Sequence, residues 1–250
     1  MTTIALITGA NKGIGFATAQ LLAAGGVTVL LGARDPDRGR AAGQALASTG
    51  AAARFVPLDV TDGDSARAAA AWIESEYGQL DVLVNNAGIA RGDGRGLPSE
   101  TTVETLREVF ETNVFGVVTV TNAMLPLLRQ APAPRIVNVS SEAGSIASMT
   151  SPDSPLWGMG ASVTYPASKT ALNMVTAMYA KELRDTAFKV NAANPGYCAT
   201  DLNGHSGFRS PEQGAQVVAH LAMLPADGPS GLLWGHLWAT DGESEGVLPW

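Results

Sequence analysis

Short runs rich in Val, Ile and Leu alternate with Ala-rich, helix-patterned stretches from one end of this 250-residue chain to the other. The runs are Ile4–Thr8, Val27–Gly32, Ala53–Leu58, Val82–Asn85, Arg135–Val139, Lys189–Ala193 and Leu232–Trp238. Helical patterns lie between them near residues 14–24, 37–48, 63–77, 102–130, 166–184 and 211–224. A strand apolar on both faces is buried on both, and strands separated by helices pair in parallel. The alternation predicts an α/β fold, a single Rossmann-type doubly wound parallel sheet of about seven strands with helices on both faces. With 46% hydrophobic and 16% charged residues the chain can bury such a core. No Pro/Gly/Ser-rich linker or internal repeat divides it, so residues 1–250 are read as one domain. Gly- and Pro-containing loops at 89–100, 143–160 and 197–210 follow strand runs, and ligands bind at that carboxyl edge in open α/β sheets.

Charge and cysteine usage narrow the partners. A net charge of −7 with no Lys/Arg cluster argues against nucleic acid or an anionic membrane surface. The single Cys198 rules out an internal disulfide framework and fits a reducing compartment. The first residues lack the basic-then-apolar pattern of a signal peptide, and no run approaches the roughly 18 to 20 apolar residues that span a bilayer. A soluble, cytoplasmic protein acting on a small molecule is the expectation. His205, His220 and His236 have no metal-ligand spacing, so no metal is expected, and His205 reads as a surface residue.

Two local patterns carry chemistry. The first strand runs into Thr8-Gly9-Ala10-Asn11-Lys12-Gly13-Ile14-Gly15 and then a helix. Glycines 9, 13 and 15 permit a tight turn and close backbone approach to a pyrophosphate, which the helix N-terminus attracts. At the end of the second strand, Arg34 stands where an NAD enzyme usually has an acid, and with Lys12 it can meet a 2′-phosphate. The neighbouring Asp35-Pro36 pair reads as a helix start, with Asp as N-cap. NADP(H) is therefore the expected cofactor. Asp59 after the third strand suits an adenine contact or a helix cap. The second pattern is Tyr165 and Lys169, one turn apart on one helix face. An ammonium beside a phenol lowers a reference pKa of about 10 and makes a proton donor and acceptor for carbonyl–alcohol interconversion.

Taken in order, Thr8–Gly15, Asp59, Asn85-Asn86-Ala87-Gly88, Asn113, Val139-Ser140-Ser141, Tyr165 with Lys169, and Pro195-Gly196 resemble the short-chain dehydrogenases/reductases along nearly the whole chain. The stretches Asn11–Gly15, Ala33–Asp35, Asp81–Ala90 and Ser210–Ala215 are similar to the carbonyl reductase branch. That resemblance implies hydride transfer from NADPH to a ketone or aldehyde, or the reverse with NADP+, with Tyr165 passing the proton. It further implies that Ser141, rather than Ser140, holds the carbonyl. Lys169 would depress the Tyr165 pKa and hold the nicotinamide ribose, while Asn113 would fix a water on the proton route. Val60, Asn86, Ala87 and Gly88 would line the cofactor, with Pro195, Gly196 and Thr200 near its carboxamide. The alternative on the same fold is a catalytically idle NADP(H) sensor or scaffold.

Three departures from the family pattern stand out. The segment between Ser141 and Tyr165 is longer than in most members, yet shorter than the insertion of animal carbonyl reductases. Pro166 follows Tyr165 directly, which places the tyrosine at the start of its helix. Asp35 follows Arg34, which leaves some NAD use open. Trp157, Met159, Tyr197, Leu202 and Phe208 in the loops predict an apolar pocket wall and a preference for apolar or aromatic carbonyl compounds. Monomer and homo-oligomer are both open.

Overall fold

A computed structural model describes residues 2–91, 97–238 and 244–250. Its sheet has eight strands in the order β3-β2-β1-β4-β5-β6-β7-β8. The strands are β1 (Ile4–Thr8), β2 (Thr28–Ala33), β3 (Ala53–Pro57), β4 (Val82–Asn85), β5 (Arg135–Val139), β6 (Lys189–Asn194), β7 (Leu233–His236) and β8 (Glu245–Leu248). All pairings are parallel except β7 with β8. The chain starts in the middle at β1, winds outward to β3, then returns to β4 on the other side of β1. That reversal makes a crevice at the carboxyl ends of β1 and β4.

The period-two rule divides each central strand between two apolar layers. Leu6, Leu30, Leu83 and Ile136 face one layer, closed by α3 (Gly63–Tyr77), α5 (Gly116–Leu128) and α7 (Thr164–Glu182). Ile7, Leu31, Val84 and Val137 face the other, closed by α1 (Gly13–Ala24), α2 (Pro36–Ala47) and α8 (Pro211–Ala222). The doubly wound architecture read from the alternation is therefore the one found.

Three elements differ from the sequence reading. The sheet has an eighth strand, β8, whose exposed Glu245 and Val247 and single buried Leu248 give too little pattern to announce it. The one helix predicted over 102–130 is α4 (Val103–Phe110) and α5 joined by a wider π turn over Glu111–Phe115. The loop read over 143–160 contains a short helix, α6 (Ile146–Thr150), and a 3-10 turn over Pro155–Gly158. Ser145 and Ser154 cap these two pieces with their hydroxyls. No helix among the described residues is long and apolar enough to cross a membrane.

Candidate active site

The glycine turn is tied to the neighbouring strand by side chains. Thr8 Oγ1 accepts hydrogen bonds from the Asn86 and Ala87 amides at 3.0 and 2.9 Å. Asn86 Nδ2 returns a bond to the Thr8 carbonyl at 2.9 Å. Gly9 and Gly13 have φ of +63° and +56°, a region that suits glycine. A Cβ on Gly15 would come within 2.8 Å of the Gly9 carbonyl, so the turn closes only without one. Asn11 lies in this turn and Gly13 opens α1, so backbone amides are gathered where a pyrophosphate would sit. Ile14 instead packs into the apolar layer behind it.

The end of β2 bears on cofactor choice. The Asp35 carboxylate accepts from the Asp37 and Arg38 amides at 3.0 and 3.1 Å, capping α2. The Arg38 amide bond, ahead of the neighbouring guanidinium groups, holds its pKa below the usual value. That carboxylate is engaged at a helix terminus, while Arg34 is exposed beside it. Lys12, read beside Arg34 as a phosphate contact, makes an exposed ion pair. Its ammonium reaches across to Asp201 at 2.5 Å, and Asp201 also meets His205 Nε2 at 2.9 Å. Asp59 accepts from the amide and hydroxyl of Thr61, and the cap of α3 is Asp62 rather than Asp59. Val60 packs on Gly116, where an added Cβ would come 2.9 Å from its Cγ2. An amide-lined turn, a diverted acid and an exposed arginine form a donor set that fits a dinucleotide carrying a 2′-phosphate.

Asn113 in the π turn, Ser141 after β5, and Tyr165 and Lys169 on α7 come from three elements and converge at the carboxyl edge. Ser140 and Ser141 point different ways. The Ser140 hydroxyl is buried on Asn173 Oδ1 at 2.6 Å, whereas Ser141 lies beside the Tyr165 phenol. Lys169 is buried, with Nζ on the Val139 carbonyl at 2.8 Å and 5.4 Å from the Tyr165 ring centre. Asn113 sits in the π turn, fully buried. Its Oδ1 accepts from the Ile89 amide, and its Nδ2 donates to the Ile89 carbonyl and Ser168 Oγ. Both amide hydrogens are thus spent on holding the 89 segment and α7 in place. Gly88 lies between the two polar groups, since a Cβ there would be 3.4 Å from Asn113 Oδ1 and 3.7 Å from Lys169 Nζ. Opposite, Gly196 has φ +77° and a Cβ would collide with Arg209 and His236, so the Pro195-Gly196 turn is pressed against a buried cation. Thr200 closes this side, its Cγ2 3.5 Å from where a Gly13 Cβ would be.

The electrostatics reverse one expectation. Burial pushes the Tyr165 pKa up to about 12, only partly opposed by the Ser141 hydroxyl, and Lys169 does not reverse this. Burial likewise lowers Lys169 to about 8. Withdrawal from water outweighs the attraction between phenolate and ammonium. In this state the tyrosine is a held proton, not an activated phenolate.

All five loop residues read as a pocket wall, Trp157, Met159, Tyr197, Leu202 and Phe208, are exposed. Tyr197 and Phe208 pack with Trp238, at ring separations of 6.1 and 5.1 Å. Trp238 follows β7 and carried no motif, so only the topology reveals it. Trp157, Met159 and Leu202 are exposed, and Leu156 anchors the long segment. Cys198 is buried, its thiol on the Pro195 carbonyl. Residues 92–96 of the predicted 89–100 loop lie outside the described residues.

Comparisons with known proteins agree with this geometry. A family model described as short chain dehydrogenase matches residues 3–208. The chain is 40% identical to short-chain dehydrogenase anuI of Penicillium roqueforti, covering 88% of each chain. It is 36% identical to carbonyl reductase (NADPH) 1 of Sus scrofa, covering 92% of this chain and 91% of the relative. Among solved structures, NADPH-bound carbonyl reductase from chicken fatty liver superposes with a TM-score of 0.83 at 32% identity, over 100% of this chain and 99% of that one. Salutaridine reductase from Papaver somniferum gives 0.80 at 29% identity, over 92% and 99%.

Proposed function

The chain belongs to the short chain dehydrogenase family as an NADPH-dependent oxidoreductase, and from that premise we propose that it reduces ketones and aldehydes with Tyr165 as the proton donor. The observation that carries the reading is the phenol of Tyr165 beside the Ser141 hydroxyl, with its pKa raised to about 12. A group held protonated at neutral pH is fit to give a proton to a carbonyl oxygen as it becomes an alkoxide. The reduced nicotinamide supplies the hydride. Ser141 holds the carbonyl oxygen toward the phenol, and Lys169 presents a cation behind it that binds the ribose and resupplies the proton. Asn113 keeps α7 and the 89 segment in register, so its role is positional as well as any part in the water chain. Arg34 reads the 2′-phosphate, because Asp35 is committed to α2 and Lys12 to Asp201. The apolar rings at positions 197, 208 and 238 favour apolar or aromatic carbonyl compounds.

Tyr165→Phe tests the reading. It removes the proton and leaves the ring, so NADPH affinity stays within about twofold while turnover of an aromatic ketone falls at least about a hundredfold. Unchanged turnover in that variant would exclude Tyr165 as the donor and reopen the idle-sensor alternative.

A further inference from the structure

Arg209 is 2% exposed, and its contacts among the described residues converge on one turn. A guanidinium has no acceptor, so Nη1 donates to His236 Nδ1, at 2.7 Å, and Nη2 donates to the Gln213 carbonyl in the first turn of α8, at 3.2 Å. The stem and the imidazole both press on Gly196, where a Cβ would stand 2.7 Å from Arg209 Cδ and 2.8 Å from His236 Cδ2. Gly196 has φ of +77°, so this left-handed turn is placed by whatever backs it. The main chain of Arg209 closes a second structure. Its amide donates to the Tyr197 carbonyl at 3.1 Å and its carbonyl accepts from the Ala199 amide at 2.8 Å, which pins together the two ends of the 198–209 excursion. The turn borders the reacting groups. It leaves the carboxyl end of β6, beside the β5 end that carries Ser141, and the Cys198 thiol two residues on is close enough to act on the Tyr165 phenol.

We infer that Arg209 is a positioning residue for hydride transfer: braced on His236 and α8, it fixes the Pro195-Gly196 turn against which the nicotinamide carboxamide docks, and so sets which face of the ring meets the substrate. Burying a guanidinium is costly, and an apolar side chain would fill the same space without that cost. What a planar head with several donors adds is direction. Bonds to two different elements hold the stem at one place and one angle. His236 ends β7, and α8 is anchored in the apolar layer by Val217, Val218 and Leu221, so the brace stands on the rigid core. The turn thereby inherits the precision of the sheet rather than that of a surface loop. Hydride transfer needs that precision, because displacing the reacting groups by about 1 Å costs about a hundredfold in rate.

The inference rests on the NADPH-dependent reading of the site, and the test separates the two. Arg209→Lys keeps a cation and most of the stem but cannot brace both partners with one planar head. 2′-Phosphoadenosine diphosphoribose is NADP+ without its nicotinamide, so its binding, followed by calorimetry, measures the rest of the cleft and shows that the variant is folded. Wild type and Arg209→Lys are expected to bind it within about twofold of each other, whereas NADPH binding weakens at least about tenfold in the variant. Equal weakening of both ligands, or of neither, overturns the inference. Wild type that binds neither ligand removes the cofactor reading, and the inference with it. Hydride face is the second readout, taken with NADPH deuterated on one C4 face and an aromatic ketone. A loosened turn lets the ring present its other face, so transfer from the disfavoured face should rise at least about tenfold in Arg209→Lys. Face selectivity equal to that of wild type overturns the inference as well. His236→Asn keeps an acceptor beside Arg209 but takes the ring away from Gly196. It is expected to give the same pattern in both readouts and decides the matter where Arg209→Lys does not fold.

Discussion

Lys169 and Tyr165 show how far a residue pair can be read from spacing. Their placement on one helix face was legible, because four residues make one turn. The sign of the electrostatics was not, since desolvation depends on everything packed around the pair. The same burial has a measurable consequence. Lys169 titrates near 10.5 when unfolded and about 8 when folded, so the unfolded chain binds the extra proton between those values. Stability contributed by this group therefore rises with pH across that window. The unfolding free energy of wild type minus that of Lys169→Met should grow by up to about 3 kcal/mol from pH 8 to pH 10.5 in denaturant titrations. A difference that is flat or shrinks would show that the lysine is not held in a desolvated site. Arg34 gives a second test. Arg34→Glu should weaken NADPH binding at least about tenfold and leave NADH binding nearly unchanged, read by cofactor fluorescence. Equal weakening of both cofactors would remove the arginine from 2′-phosphate recognition.

Elements supply what single residues cannot. The helix predicted over 102–130 is interrupted by a π turn because Asn113 must reach the Ile89 backbone and Ser168 at once. A π turn adds one residue to a helical ladder and re-aims a side chain, which no apolar periodicity announces. Asn113→Ala leaves buried partners at Ile89 and Ser168, so it should cost about 2 kcal/mol or more of stability and most of the activity. Loss of activity with unchanged stability would instead place the side chain on the proton route alone. The start of α2 is the opposite case, fully legible from Asp35-Pro36. Asp35→Ala should lower the denaturation midpoint and leave the preference for NADPH over NADH intact. A changed NADPH-to-NADH preference, with no loss of stability, would contradict the capping role. β8 escaped notice because a strand with one buried residue has almost no pattern, and α6 because five residues are too few to show a period.

Across the whole molecule, the winding order brings together residues that are far apart in sequence. β1 and β4 meet at the reversal of the sheet, so the glycine turn and Asn86 share one crevice. The ends of β5 and β6 continue that edge and carry Ser141 and Pro195, while α7 returns across it with Tyr165 and Lys169. This much followed from the alternation of strands and helices with their motifs. The packing of Trp238 against Tyr197 and Phe208 did not, because β7 and the loops meet only after the sheet has closed. The most direct check of hydride transfer uses NADPH carrying deuterium at both C4 positions, incubated with an aromatic ketone and the purified protein. Mass spectrometry should find one deuterium on the carbinol carbon of the alcohol made by wild type, with product formation nearly abolished in Tyr165→Phe. An alcohol without the label, or equal labelled product from the variant, would contradict NADPH-dependent reduction with Tyr165 as proton donor.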